Sequence, residues 1–136
     1  MARNIIDLPT LGDDGRLYRD TALDLVESLI PNPWESCHAP DLLELENGDL
    51  LCCWFAGSSE GNADISIAVA RLPAGASQWE QPVIVSDDPT RSEQNPSLFQ
   101  NPNGDIWLMY TAQAAKKPDE NNPDSMQGTA EIRRKI

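Results

Sequence analysis

The chain has 136 residues, and its 10 lysines and arginines against 22 aspartates and glutamates give a formal net charge of −12. This length predicts one ordinary domain. The negative charge argues against binding to nucleic acid or to an anionic membrane, because the field of the protein would repel either partner. The first nine residues lack the apolar stretch of a signal peptide, and no run approaches the roughly 20 apolar residues of a membrane helix. We therefore expect a cytoplasmic protein with no nucleic-acid or membrane partner.

The first 36 residues have no clear periodicity, and turn signals lie at 12–15 and 31–33. Residues 21–30 fit both the period of a strand and that of a helix. We favour a strand that pairs with a part of the protein outside this chain. Residues 1–36 are accordingly interpreted as an N-terminal extension that supplies a strand to a closing sheet.

Strong β signals begin after Cys37, the first of three cysteines. The predicted strands are 40–46, 50–56, 65–71 and 82–85. The first two are joined by Asn47-Gly48-Asp49, since an Asn-Gly pair favours the positive φ angles of a tight hairpin. Cys52 and Cys53 are adjacent in the second strand, so their side chains point to opposite faces and cannot hold one metal together. We expect buried, reduced cysteines, with no metal and no cofactor.

The pattern begins again after a shift of 56 positions. The shift places Pro40 on Pro96, Leu42 on Leu98, Asn47-Gly48-Asp49 on Asn103-Gly104-Asp105, Trp54 on Tyr110 and Ala56 on Ala112. The second copy has a longer loop, 113–128, and resumes at 129–133. A four-stranded unit repeated at about 50 residues is typical of a β-propeller. We predict an all-β propeller of which residues 37–136 form about two antiparallel blades.

A propeller needs typically 4–8 blades to remove its sheet edges. The chain is therefore expected to be an N-terminal fragment that requires the rest of the propeller for closure.

The strand order places several polar groups at one end of the blades. The entry to strand one and the loop between strands two and three share that end, where the first strands would meet around the axis. The catalytic candidates there are His38, Asp64 and Glu60, and the substrate-binding candidates are Arg91, Gln94, Asn95 and Asn62. Amides at a strand entrance suit recognition of sugar hydroxyls.

Each candidate also has a structural interpretation. His38 could be a hydrogen-bonded structural residue, and Glu60 and Asp64 could belong to a solvated turn with Asp64 as a cap. The segment 87–93 is polar and predicted to be exposed. Trp54 and Tyr110 occupy equivalent positions, which favours core packing over sugar stacking.

Five stretches together carry a family resemblance. They are His38-Ala39-Pro40, Asn47-Gly48-Asp49-Leu50-Leu51, Trp54-Phe55-Ala56-Gly57 with Glu60-Gly61, Asp64-Ile65-Ser66-Ile67, and Gln94-Asn95-Pro96-Ser97-Leu98-Phe99. Over about residues 37–136 the sequence resembles the sialidase (neuraminidase) superfamily, in particular its bacterial sialidase-like or BNR-repeat-like proteins. The resemblance implies a propeller in which true sialidases remove terminal sialic acid with an arginine triad, an aspartic acid/base and a tyrosine nucleophile assisted by glutamate.

The chain departs from this pattern at two places. Where the family has an Arg-Ile-Pro motif, the chain has His38-Ala39-Pro40, which puts carboxylate clamping by that residue in doubt. The acid/base aspartate corresponds to Asp64 or Glu60, and the tyrosine and other arginines belong to later blades. The family's Asp-box turn, Ser-x-Asp-x-Gly-x-Thr-Trp, keeps only its tryptophan, Trp79, with Ala74 in place of the aspartate.

Three functions follow as expectations for the complete protein. The first is an exo-acting glycoside hydrolase on terminal acidic sugars of glycans, with the fragment itself inactive. The second is a polysaccharide lyase on uronate-containing glycans, in which His38 would transfer protons, because an imidazole exchanges protons near neutral pH. The third is a non-catalytic sugar-binding propeller. In each the partner is a glycan or oligosaccharide.

Overall fold

The computed structural model describes residues 6–7, 12–117 and 124–136. Its strands are β1 Ile6–Asp7, β2 Tyr18–Asp20, β3 Leu25–Glu27, β4 Ser36–Glu44, β5 Leu50–Gly57, β6 Ser66–Leu72, β7 Val83–Ile84, β8 Arg91–Gln100, β9 Ile106–Ala114 and β10 Glu131–Lys135, and its helix is α1 Asp124–Gln127. The all-β prediction is thus confirmed. Three ranges lie outside the described residues: 1–5, 8–11 and 118–123. The last of these is the centre of the predicted long loop.

Strands β4 to β7 form the first sheet, which is antiparallel with neighbours in chain order. Strand β5 is almost wholly apolar because both of its faces are covered. Cys52 and Trp54 belong to one buried cluster, and Cys53 and Phe55 belong to another on the opposite face. The expected burial of the two adjacent cysteines is therefore confirmed.

Strands β8, β9 and β10 form the second sheet, in which each strand again pairs antiparallel with the next. The repeat is visible in the backbone as well as in the sequence. Register shifts in β4 and β8 mark a bulge in each first strand, and Ala39 and Asn95 at these bulges have φ angles of 52° and 50°. The two residues are 56 positions apart, which confirms the repeat length predicted from the sequence.

The two sheets pack face to face, with β4 beside β8. Phe55 and Ile67 of the first sheet share one buried cluster with Leu108 and Tyr110 of the second. A carboxylate links the first strands, since Asp41 Oδ2 accepts hydrogen bonds from the backbone N–H of Leu98 at 2.7 Å and from Ser97 Oγ at 3.1 Å. A charged acceptor strengthens such bonds.

The N-terminal segment covers part of the other face of the first sheet. Leu17 belongs to the cluster of Trp54 and Trp79, and Ile30 and Trp34 pack against it. Backbone hydrogen bonds from Leu17 to Ser77 O and from Trp79 to Gly15 O hold the segment in place. The core packing predicted for Trp54 and Tyr110 is confirmed, and Trp79 is buried as well.

The strand within 21–30 is shorter than predicted, and its pairing with a part of the protein outside this chain stays a prediction. Strand β3 covers Leu25–Glu27 alone and pairs antiparallel with β2 of the same chain. The chain turns at 21–24 because Asp20 accepts hydrogen bonds from the backbone N–H groups of Ala22 and Leu23. Aspartate commonly stabilises turns in this way. The turn at 21–24 therefore forms although the apolar residues of this segment have the spacing of a longer strand or helix.

The exposure predicted for 87–93 is wrong at its C-terminal end. Strand β8 begins at Arg91, five residues before the proline at which the repeat was recognised, so Ser92 and Glu93 pair with β9. Their side chains are 0% and 1% exposed. Strand β4 likewise begins at Ser36, before the predicted residue 40.

The corner after β6 is held by a carboxylate from a neighbouring hairpin. Asp49, which is only 3% exposed, accepts hydrogen bonds from the backbone N–H of Ala74 at 2.7 Å and from the guanidinium of Arg71. These bonds hold the pKa of Asp49 below its ordinary value, the backbone bond being the largest cause. Asp49 thus supplies to this corner a carboxylate that the degenerate Asp-box lacks.

Candidate functional site

His38 lies in β4 immediately before the bulge, and its side chain is exposed. Its ring meets Phe55 edge-on, with the centroids 5.7 Å apart. A bulge redirects the neighbouring side chain, and the left-handed conformation of Ala39 is uncommon for a residue with a Cβ. Backbone in a sparsely populated conformation is frequent at functional sites.

His38 also lines a groove of about 300 Å³ beside the N-terminal segment. The other lining residues are Ile30, Asn32, Cys37, Pro40, Cys52 and Trp54. The indole Nε1 of Trp54 donates to Asn32 Oδ1 at 3.0 Å, which fixes one wall of the groove. His38 and Asn32 are exposed in this concave surface and can form hydrogen bonds with hydroxyl groups, whereas Trp54 is only 6% exposed and belongs to the core.

The loop between β5 and β6 carries Glu60, Asn62 and Asp64. Ser58 connects two of these side chains. Asp64 accepts hydrogen bonds from the backbone N–H of Ser58 at 3.0 Å and from the Ser58 hydroxyl at 2.9 Å. The same hydroxyl accepts a hydrogen bond from Asn62 Nδ2 at 2.9 Å. Asp64 and Asn62 therefore shape the loop, as the structural interpretation of Asp64 expected. Glu60 lies in the same turn with an exposed side chain.

A second, polar cleft of about 370 Å³ lies beside this loop. It is lined by Ala63, Asp64, Ser66, Asp87, Asp88 and Pro89. His38 lines the apolar groove and Asp64 lines this cleft, so these two of the three catalytic candidates line different cavities. That all the candidates share one mouth stays a prediction.

Arg91 bridges the strands of the second sheet. Its guanidinium donates to the backbone carbonyl oxygens of Ala112 at 2.8 Å and Thr129 at 3.1 Å, and it pairs with Glu131 at 2.8 Å. Because these partners use most of its donors, the guanidinium is held in the sheet; a substrate carboxylate would have to compete with Glu131 for it.

The amides of Gln94 and Asn95 differ in exposure. Gln94 is 4% exposed, and its Nε2 donates to Ser92 Oγ at 2.8 Å. Asn95 is exposed at the left-handed bulge position, where its Nδ2 approaches Thr111 Oγ1 at 3.5 Å. The sequence placed both at the strand entrance, and only Asn95 presents its amide at the surface.

Sequence reasoning missed a charged cluster beneath the second sheet. Arg133 pairs with Asp88 at 2.7 Å and lies 3.9 Å from the buried carboxylate of Glu93. Hydrogen bonds from Thr90 and then from Arg133 lower the pKa of Asp88, and burial followed by the charge of Glu93 raises the pKa of Tyr110. No local sequence pattern indicates this cluster, because Asp88, Glu93 and Arg133 come together only in the folded chain.

Within the described residues there is no group of three or more His, Cys, Asp or Glu side chains placed to hold a metal ion. In the same part of the chain no helix is long and apolar enough to cross a membrane.

Two antiparallel sheets, repeated at a fixed interval and packed face to face, define an all-β repeat protein of the propeller type. The family model described as BNR repeat-like domain matches residues 48–130, and the chain belongs to this family. The resemblance to BNR-repeat-like proteins inferred from the sequence is thereby confirmed. A search of curated proteins returned no match.

Proposed function

We propose that this chain contributes two repeats of a sialidase-like, carbohydrate-active enzyme that removes terminal acidic sugars from glycans. The proposal rests on one observation above all: His38 and Asn95 are exposed at neighbouring left-handed bulges of the two first strands. Membership of the BNR repeat-like family supports a glycosidase-related protein in the broader sense.

Of the three catalytic candidates we assign proton transfer to His38. Its imidazole is exposed at the rim of a groove, whereas the Asp64 carboxylate accepts two hydrogen bonds from Ser58. Glu60 stays a candidate because its side chain is exposed in the adjoining loop. Asn95 and Asn62 are assigned to hydroxyl recognition, and Gln94 and Arg91 to the support of the strands beneath them.

The observation at Arg91 favours a second candidate function. A sialidase needs arginines to hold the substrate carboxylate, and here the guanidinium of Arg91 is paired with Glu131 while histidine occupies position 38. A polysaccharide lyase needs a base to remove the proton next to a uronate carboxyl group, which an exposed imidazole can do.

Two assays on the complete protein separate these functions. Release of the fluorophore from a fluorogenic sialoside indicates the hydrolase, whereas new ultraviolet absorbance from an unsaturated uronate on incubation with polygalacturonate indicates the lyase. The 136-residue chain alone is expected to give neither signal, since two repeats present only part of a pocket. Clear turnover of the sialoside by the isolated chain contradicts the proposed need for further repeats.

A further inference from the structure

The loop between β9 and β10 of the second sheet packs on the loop between β5 and β6 of the first. The backbone N–H of Lys116, in the first part of the β9–β10 loop, donates a hydrogen bond to Gly61 O at 2.8 Å. The ammonium group of Lys116 also donates to Ser59 Oγ at 3.4 Å. The two loops occupy equivalent places in the repeat, so the contact joins corresponding parts of neighbouring repeats.

The β9–β10 loop returns to Gly61 through α1. Met126 is only 3% exposed, and its Cε lies 3.0 Å from the position that a Cβ atom on Gly61 would take. Thr129 ties Met126 to the end of β9. Its backbone N–H donates to Met126 O at 2.9 Å, and its hydroxyl accepts a hydrogen bond from the backbone N–H of Ala114 at 2.9 Å.

Two properties of Gly61 allow this contact. Its φ angle is 89°, a conformation that glycine adopts without the steric cost of a side chain. It is also buried, and a Cβ atom there would lie 3.0 Å from Met126 and 3.3 Å from Lys116, whereas carbon atoms pack best at about 3.5–4.0 Å. Gly104 has a φ angle of 90° but no atom within 4 Å of its Cβ position. The two glycines therefore share the backbone requirement and differ in the space around them.

Gly61 lies between Glu60 and Asn62, two of the candidate site residues. The turn that carries them is closed by a local hydrogen bond from the backbone N–H of Asn62 to Ser59 O at 3.0 Å. Such a bond fixes the shape of the turn but not its place relative to the second sheet. The contacts from the β9–β10 loop fix that place, because they reach the turn at its central residue.

We propose that Gly61 is a positioning residue, through which the β9–β10 loop of the second repeat holds Glu60 and Asn62 at the candidate site. The inference rests on the proposed function, in which Asn62 recognises substrate hydroxyls. A turn that is out of place weakens substrate binding but leaves proton transfer at His38 intact. Loss of the contact therefore raises KM and leaves kcat nearly unchanged.

Steady-state kinetics of the complete protein, on the sialoside or on polygalacturonate, test this role. Gly61→Ala is expected to raise KM about tenfold, the effect of losing one or two hydrogen bonds, with kcat within about threefold of wild type. Gly104→Ala is the matched control, because it places the same alanine on a left-handed backbone without a neighbour. Its KM and kcat are expected to stay within about twofold of wild type.

Substitution of Met126 separates the contact from a general loss of stability. In Gly61→Ala with Met126→Ala, the new methyl group has space, so the increase in KM is expected to be smaller than the product of the two single increases. Met126→Leu keeps a buried apolar side chain of similar volume and should leave KM within about twofold of wild type. If Gly61→Ala does not fold, Met126→Ala and Met126→Leu provide the comparison without a change of backbone. An unchanged KM in Gly61→Ala, or increases that multiply in the double variant, overturns the proposal.

Amide hydrogen exchange of the complete protein, measured by mass spectrometry, tests the coupling independently of activity. In Gly61→Ala and in Met126→Ala, exchange at residues 59–62 and at Lys116 is expected to be at least about tenfold faster than in the wild type. Exchange at Ala76, whose N–H donates to Pro73 O in a distant corner, should not change. If the wild-type protein acts on neither substrate, the proposed function fails and exchange alone decides the inference. Unchanged exchange in both variants overturns the inference whatever the activity.

Discussion

Ala39 and Asn95 occupy equivalent places in the two repeats and share one left-handed backbone conformation, with φ angles of 52° and 50°. Each precedes a proline, which disfavours the right-handed helical region for the residue before it. Asparagine tolerates the left-handed region, whereas for alanine it costs roughly 1–2 kcal/mol. The first repeat therefore maintains the bulge at a greater conformational cost than the second.

Ala39→Gly is expected to stabilise the protein by about 0.5–1 kcal/mol, because relief of the left-handed strain exceeds the added entropy of an unfolded glycine. Denaturant unfolding monitored by tryptophan fluorescence measures the change. The matched control is Ala70→Gly in β6, where the backbone is extended and the side chain buried. That change is expected to destabilise by about 1 kcal/mol or more. Equal losses for the two variants would contradict the account of the bulge.

Asp41→Ala is expected to destabilise the chain by about 1–3 kcal/mol, because it leaves the backbone N–H of Leu98 without its carboxylate acceptor. Asp41→Asn keeps an acceptor oxygen and should lose less. Glu44→Ala, at an exposed position of the same strand, is the control and should change the free energy of unfolding by less than about 0.5 kcal/mol. The link between sheets is not important for stability if all three variants unfold at the same denaturant concentration.

Stability is expected to fall in acid because Asp88 and Asp49 have lowered pKa values in the folded state. A depressed folded pKa contributes stability that is fully present above the ordinary value of 3.8 and is lost as the pH falls from there towards the folded value. Thermal unfolding between about pH 2.5 and 7 should therefore show a declining midpoint below about pH 4.

The substitution Asp88→Asn should reduce that acid dependence. Asp87→Asn, at a neighbouring side chain that is 96% exposed, is the control and should leave it unchanged. An identical pH profile for wild type and Asp88→Asn would show that the Arg133 pair carries no pH-dependent stability.

Only one of the three cysteines should react rapidly with a thiol reagent in the folded protein. Cys37 is exposed, whereas burial raises the pKa of Cys52 to about 11 and that of Cys53 to about 12. Thiolates are the reactive species. Ellman's reagent at pH 8 should therefore modify one thiol quickly, and Cys37→Ser should abolish the fast phase. Fast modification of two or three thiols without denaturant contradicts this burial.

His38→Ala in the complete protein is expected to reduce turnover by at least about 100-fold, which is the lower range for loss of a general acid or base. His38→Gln is the second variant to compare, because the second repeat has Gln94 at the equivalent position. A purely structural role tolerates glutamine, whereas proton transfer does not. Near-normal turnover in both variants, with unchanged circular dichroism, would make His38 structural.

The repeat and its strands could be predicted because hydrophobic pattern, turn chemistry and spacing agree. The Asn47-Gly48-Asp49 hairpin and the apolar β5 each follow from local sequence. The early start of β8 could not be predicted, because Ser92 and Glu93 are polar and are buried only through contacts distant in sequence.

The location of the candidate site stays a prediction, and the hydrogen-bond partners of its residues could not be predicted from the sequence. The sequence places His38 and Asn95 at strand entrances, but it does not reveal that Arg91 pairs with Glu131 or that Asp64 binds Ser58. Such partners lie on other strands or across a loop, and their distances depend on the packed structure.

The carboxylate of Asp49 reaches a corner that belongs to a different part of the repeat. The hairpin beside that corner therefore stabilises it, together with the backbone hydrogen bond from Ala76 to Pro73 O within the corner. Residues 73–78 are consequently released from the composition that a family signature demands, and they can vary while the corner keeps its shape.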